Sequence, residues 1–134
     1  MKENITLIMY SHSSYSDVWP LFFNQAREYL PDYTKVLFCD DDRGLVPDDW
    51  TFIIYDDKLS YSDRVSTCLE SIKTPLSFFH HEDMFLYDNP DIKLLKKYEE
   101  IVLNDNIDFI RLLRSTDSPG FCYKGLQTLY QVPN

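Results

Sequence analysis

The sequence predicts an α/β protein with a mainly parallel sheet covered by helices on both faces. Three observations predict it. Apolar, β-branched runs alternate with amphipathic helical stretches along the chain. Those runs end in polar or acidic loops, as expected where strands gather ligand-binding loops at their carboxyl ends. The composition, 44% hydrophobic and 16% aromatic, supplies a packed core and argues against disorder. At 134 residues, one domain spanning 1–134 is expected, burying roughly two-thirds of the surface of its unfolded chain.

Ile5 to Tyr10 reads as a first buried strand, stopping at the polar loop Ser11 to Ser16. A helix follows, with Ser16 or Asp17 as its cap and Pro20 in its first turn. Trp19, Phe22, Phe23, Ala26 and Leu30 recur at helical spacing as its inner face, and Pro31 closes it. Lys35 to Cys39 is a second strand, ending in Asp40-Asp41-Asp42. Trp50 to Tyr55 is a third, ending in Asp56-Asp57.

Ser60 and Asp63 fit a capping box opening a helix from Tyr61 to Ile72. Tyr61, Val65, Cys68, Leu69 and Ile72 form its buried stripe. Thr74-Pro75 then turns the chain into Leu76-Ser77-Phe78-Phe79, expected as a buried central strand, which runs into His80-His81-Glu82-Asp83. Asn89 and Pro90 are expected to cap and start a further helix with Ile92, Leu95, Tyr98 and Val102 on its inner face. Phe109 to Leu113 reads as a fifth strand, and Gln127 to Val132 as a weak one.

Bulk properties exclude several function classes. Only three glycines occur, and neither a GxGxxG nor a P-loop can be written from them. The net charge of −9 disfavours nucleic acid or an anionic membrane as partner. A phosphorylated ligand then calls for an intervening cation. Cys39, Cys68 and Cys122 are odd in number and widely spaced, which predicts ordinary thiols and no disulfide framework or zinc site. No apolar stretch approaches the ~18 residues of a membrane span. The start of the chain lacks signal-peptide architecture. A cytoplasmic protein is expected.

The acid cluster after Phe79 carries the chemistry. In extended backbone, His80 and Glu82 share one face while His81 and Asp83 share the other. His81-Glu82-Asp83 has the spacing of a D-x-D pair with His81 in the first position. Asp83 is then the expected metal ligand with His81 beside it, and Glu82 a second carboxylate. Oxygen-rich donors suit Mg²⁺ or Mn²⁺ better than zinc.

Tyr61-Ser62-Asp63-Arg64, the Thr74-Pro75 turn, and Phe78 to Leu86 together resemble GT-A-fold glycosyltransferases, and Asp40-Asp41-Asp42 is similar to an acidic stretch of the family 2 enzymes. The resemblance covers roughly residues 5 to 115. It implies a Rossmann-like nucleotide-binding half that holds a nucleoside-diphosphate sugar, a UDP-sugar by base rate. The sugar would pass to a saccharide or other hydroxyl acceptor with metal assistance. It places Tyr10, Ser11 and His12 near the base, Asp40 or Asp42 on base or ribose, Asp63 and Arg64 toward diphosphate or sugar, and Asp83 on the metal. Such enzymes run on beyond this length, so a donor-binding half, a minimal form or a fragment of a longer chain is expected, with the catalytic base unassigned. Two alternatives stand beside it. One is a non-catalytic interaction domain on the same fold. The other is a receiver-like signalling domain, in which Asp56 would accept the phosphoryl group.

Overall fold

The computed structural model describes residues 4–86 and 88–112, and the backbone of 121–122 and 130–131. Two units divide between Asp91 and Ile92. The first holds a four-stranded, all-parallel sheet of β1 (Ile5–Tyr10), β2 (Thr34–Cys39), β3 (Trp50–Ile54) and β4 (Leu76–His81), in the order β3-β2-β1-β4. This is an α/β, Rossmann-like architecture, with the parallel sheet that the alternating pattern predicts.

Successive residues of β1 serve opposite faces. Leu7 and Met9 pack with Trp19, Phe22, Phe23 and Ala26 of helix α1 (Trp19–Tyr29), together with Leu37 and Cys39. Ile8 and Tyr10 pack with Val36, Phe38, Tyr55 and Cys68, the last from helix α2 (Tyr61–Leu69). The helices therefore cover opposite sides of the sheet. Cys39 and Cys68 are buried free thiols, in line with the expectation.

Helix starts and stops differ in detail. α1 is entered from Val18, which makes no side-chain cap bond, and not from Ser16 or Asp17. Those two lie in the turn that follows the 3-10 helix Ser13–Tyr15, where Ser16 N–H bonds back to the Ser13 carbonyl. The capping box of α2 forms as expected: Ser60 Oγ accepts from Asp63 N–H at 3.2 Å. α2 ends at Leu69, short of Ile72, in turns where Ser71 and Ile72 bond back to Cys68 and Leu69. Tyr61 and Leu69, expected in the buried stripe, are 48% and 38% exposed, because only the Cys68 side of α2 faces the sheet.

β4 departs most from its expected central place. It pairs with β1 alone and forms an edge of the sheet among the described residues. It also includes both histidines, extending the strand to His81. Between β2 and β3 the chain crosses by the loop Asp40 to Asp49, with no helix. Gly44 sits there at φ +65 and Arg43 at φ +53, each N–H held by an Asp side chain two residues before it.

The second unit contains helix α3 (Ile92–Asn104) and a two-stranded antiparallel pair, β5 (Phe121–Cys122) with β6 (Tyr130–Gln131). α3 begins two residues after the proline expected at its first position. Leu95, Tyr98 and Val102 are half-buried, while Ile92 is exposed. Residues 109–112 form no strand, and Phe109 is 77% exposed. An apolar run becomes a strand only where an edge and a face receive it. Leu113 of that expected strand lies outside the described residues, as do 127–129 and Val132 of the weak one.

Candidate functional site

The sheet reverses its winding at β1. From β1 the chain passes over one face to β2, and later returns over the other face to place β4 on β1's opposite side. The carboxyl ends of β1 and β4 therefore diverge into loops that turn away from each other and leave a crevice. A cleft of about 400 Å³ occupies that position, within the range of small-molecule sites. Its walls come from Tyr10 at the end of β1, Ser11, His12 and Tyr15 in the loop after it, Tyr55 and Asp57 after β3, Tyr61 and Arg64 of α2, and His81 and Glu82 at the end of β4.

The loop after β1 is fixed from below. Ser11 N–H continues the ladder to Phe38 at 2.9 Å, and Ser11 Oγ accepts from the buried Trp19 indole at 2.8 Å. The Tyr55 hydroxyl donates to the Ser11 carbonyl at 2.6 Å. Burial pushes the Tyr55 phenol well above its usual range, so it stays a neutral donor. His12 caps the turn Ser13–Tyr15, its Nδ1 accepting from Ser14 N–H at 3.1 Å. Because Nδ1 accepts, Nε2 carries the proton of the neutral ring. That nitrogen faces two carboxylates, Asp57 at 3.4 Å and Asp40 at 3.6 Å.

Asp40 stands behind His12 and is not part of the cleft wall. Burial alone would raise its pKa. Hydrogen bonds from the Ser13 N–H and hydroxyl, and from the Cys39 thiol, outweigh burial and hold it down at about 2. Cys39 itself is pushed up to about 12, first by burial, which keeps the thiol protonated. Asp42 and Asp63 lie apart from the cleft: Asp42 accepts from Gly44 N–H, and Asp63 completes the capping box with Ser60 at 2.6 Å.

Aromatic rings make the floor. Tyr10 stacks on Tyr55 with centroids 5.3 Å apart and meets Tyr61 and His81 edge-on at 5.2 and 5.6 Å. Tyr61 and His81 lie nearly parallel at 6.2 Å. The Arg64 guanidinium rests over the Tyr55 ring at 5.1 Å and donates to Asp57 at 2.6 Å. Its Nε is buried and has no hydrogen-bond partner among the described residues.

β4 does not stay extended past His81. Met84 N–H bonds to the His81 carbonyl at 3.1 Å, closing a turn through Glu82 and Asp83. Glu82 consequently shares the cleft with His81, where an extended strand would put them on opposite faces. Asp83 is exposed in the turn and outside the cleft wall. His80 points to the other face, stacked on Phe78 at 4.8 Å and edge-on to Phe22.

The structure thus brings Tyr10, Ser11, His12, Arg64, His81 and Glu82 together and leaves Asp40, Asp42, Asp63 and Asp83 outside. Among the described residues, no three His, Cys, Asp or Glu side chains converge as a metal would require. Sequence reasoning passes over Tyr15, Tyr55, Tyr61 and Asp57 as site residues. A usable signal existed for two of them: Tyr55 extends an apolar strand into its carboxyl-end loop, and Asp57 just precedes the helix that carries Arg64. Compared with protein-family models, curated proteins and solved structures, the chain has no match.

Proposed function

We propose that the cleft binds a nucleoside-diphosphate sugar, and that the chain is a glycosyltransferase or the donor-binding part of one. One observation carries this reading: an arginine held over a tyrosine ring, beside an aromatic floor, at the crevice where the parallel sheet reverses its winding. The guanidinium offers planar, paired donors suited to phosphoryl oxygens. Tyrosine rings offer flat faces to a base or sugar. The resemblance of the Tyr61 to Leu86 block to GT-A-fold enzymes supports the same class.

In this reading an acceptor hydroxyl forms a bond to the anomeric carbon as the bond from that carbon to the diphosphate oxygen breaks. The electron pair leaves on the diphosphate, and the hydroxyl proton passes to a base. Arg64 and His12 meet the charge on the leaving group. The expected metal fits this wall poorly, since His81 is engaged in the aromatic floor and Asp83 is exposed outside it. The reading therefore assigns phosphate recognition to Arg64 and His12, and Mn²⁺ or Mg²⁺ enters as a variable of the test.

Calorimetric titration of UDP, GDP and CDP, each with Mn²⁺, with Mg²⁺ and with chelator, tests the proposal. Binding of one nucleotide that is weakened in Arg64→Gln supports it and identifies the base. No binding of any nucleotide under any condition overturns it in favour of a non-catalytic interaction domain.

A further inference from the structure

Asp57 bridges two nitrogen donors of the cleft wall, Arg64 and His12. Its Oδ1 accepts from Arg64 Nη1 at 2.6 Å, and its Oδ2 lies 3.4 Å from His12 Nε2. The two partners come from different elements, α2 and the loop after β1, and are held by other contacts. Arg64 rests on the Tyr55 ring at 5.1 Å, and His12 is turned by its bond from Ser14 N–H. Each therefore has a contact that does not involve Asp57.

Exposure separates the pair. The Asp57 side chain is 53% exposed, against 18% for Arg64. The cation is embedded in the wall, and the anion reaches it from the solvent side. A carboxylate spanning two N–H donors also has the shape of one edge of a phosphoryl group, which presents two anionic oxygens at a similar separation.

We infer that Arg64 and His12 form an oxyanion seat for the ligand's phosphoryl group, and that Asp57 is its internal occupant. This rests on the nucleoside-diphosphate reading for the identity of the ligand. A phosphoryl group enters by displacing Asp57 from Arg64. The apparent affinity is accordingly lower than the seat's own, by the fraction of molecules in which the seat is open. Asp57 also acts on selectivity: a neutral or weakly anionic group cannot take its place, whereas a diphosphate carries enough charge to do so.

The test uses calorimetry with inorganic diphosphate and with UDP, GDP and CDP, all in chelator. The chains compared are the native protein, Asp57→Asn, and Asp57→Asn combined with Arg64→Gln. Asp57→Asn is expected to bind diphosphate about tenfold more tightly than the native chain, the gain vanishing in the double variant. Should Asp57→Asn unfold, Asp57→Ser takes its place under the same criterion. Diphosphate binding that is no tighter in the single variant, including binding in neither chain, overturns the inference. The two readings separate cleanly. If Asp57→Asn gains affinity for diphosphate while UDP, GDP and CDP all bind it no better than diphosphate does, the seat stands and the nucleotide falls. If the native chain binds one of the nucleotides and Asp57→Asn binds that nucleotide and diphosphate no more tightly, the nucleotide stands and the seat falls.

Discussion

Ser13 donates both its backbone N–H and its hydroxyl to Asp40, each at 2.7 Å, and so clips the loop after β1 to the end of β2. His12 and Tyr15 flank that clip on the cleft side. Replacing Asp40 by Ala leaves the Ser13 donors unmatched and is expected to destabilise the fold by about 2 kcal/mol. Urea unfolding of Asp40→Ala against the native chain measures it, and a difference below about 0.5 kcal/mol, as for an ordinary surface change, would refute it.

The same carboxylate sets an acid limit. Its folded pKa of about 2 lies below the ordinary value of 3.8. A depressed acid contributes stability that is complete above the unfolded pKa and lost as pH falls through the folded one. The Asp40 contribution should disappear between about pH 4 and 2, and Asp40→Asn should flatten the unfolding midpoint in that window.

His80 acts at milder pH. Burial pushes it down to about 4 from 6.5, only partly offset by the Phe78 backbone. The neutral ring is the one the fold accepts. Stability is therefore complete above pH 6.5 and lost as pH falls toward 4, by an amount on the order of 2 kcal/mol. Urea midpoints of native and His80→Phe chains at pH 7 and pH 5 check this. The native chain should weaken between the two pH values and the variant should weaken less. Equal losses in the two chains would remove His80 as the cause.

Tyr55→Phe deletes one buried hydroxyl and leaves the Ser11 carbonyl without its 2.6 Å donor. A loss of about 1–3 kcal/mol is expected, with the ring and its contact to Arg64 retained. Thermal unfolding gives the loss. Calorimetry on the same variant should show ligand affinity changing far less than in Arg64→Gln.

Ser60→Ala removes the cap of α2, the helix that carries Tyr61 and Arg64. About 1 kcal/mol of stability should go with it. Ser60→Asp, which restores an acceptor at the cap, should recover most of that loss in the same unfolding assay.

Strands β1 and β2 and the inner face of α1 were legible because their patterns are local: a continuous apolar run has one stable use, and Trp19, Phe22, Phe23 and Ala26 sit on one helical face. The Ser60 cap was legible for the same reason. The site was legible only in part, because proximity across the sheet is set by strand order. Nothing in Asp56-Asp57 says which carboxylate turns inward. In the structure Asp56 accepts from Lys58 N–H and closes the turn, which leaves Asp57 for Arg64. The acids after β4 misled for a conformational reason, since face assignments by alternation fail once the chain turns at His81. Phe109 to Leu112 misled because a β-rich run does not become a strand without a neighbour.

The pairing of β1 with β4 sets Ile5 against Leu76 and Tyr10 against His81. As the chain is synthesised, β1, β2 and β3 emerge long before β4, and for that interval one side of β1 has open backbone donors and acceptors. Such a bare, apolar border is a template for unwanted strand addition, and closing it requires a distant segment, which makes sheet completion a slow step. Recovery of native protein on refolding should thus depend on protein concentration, and a chain cut before Leu76 should aggregate rather than accumulate as a folded three-stranded piece.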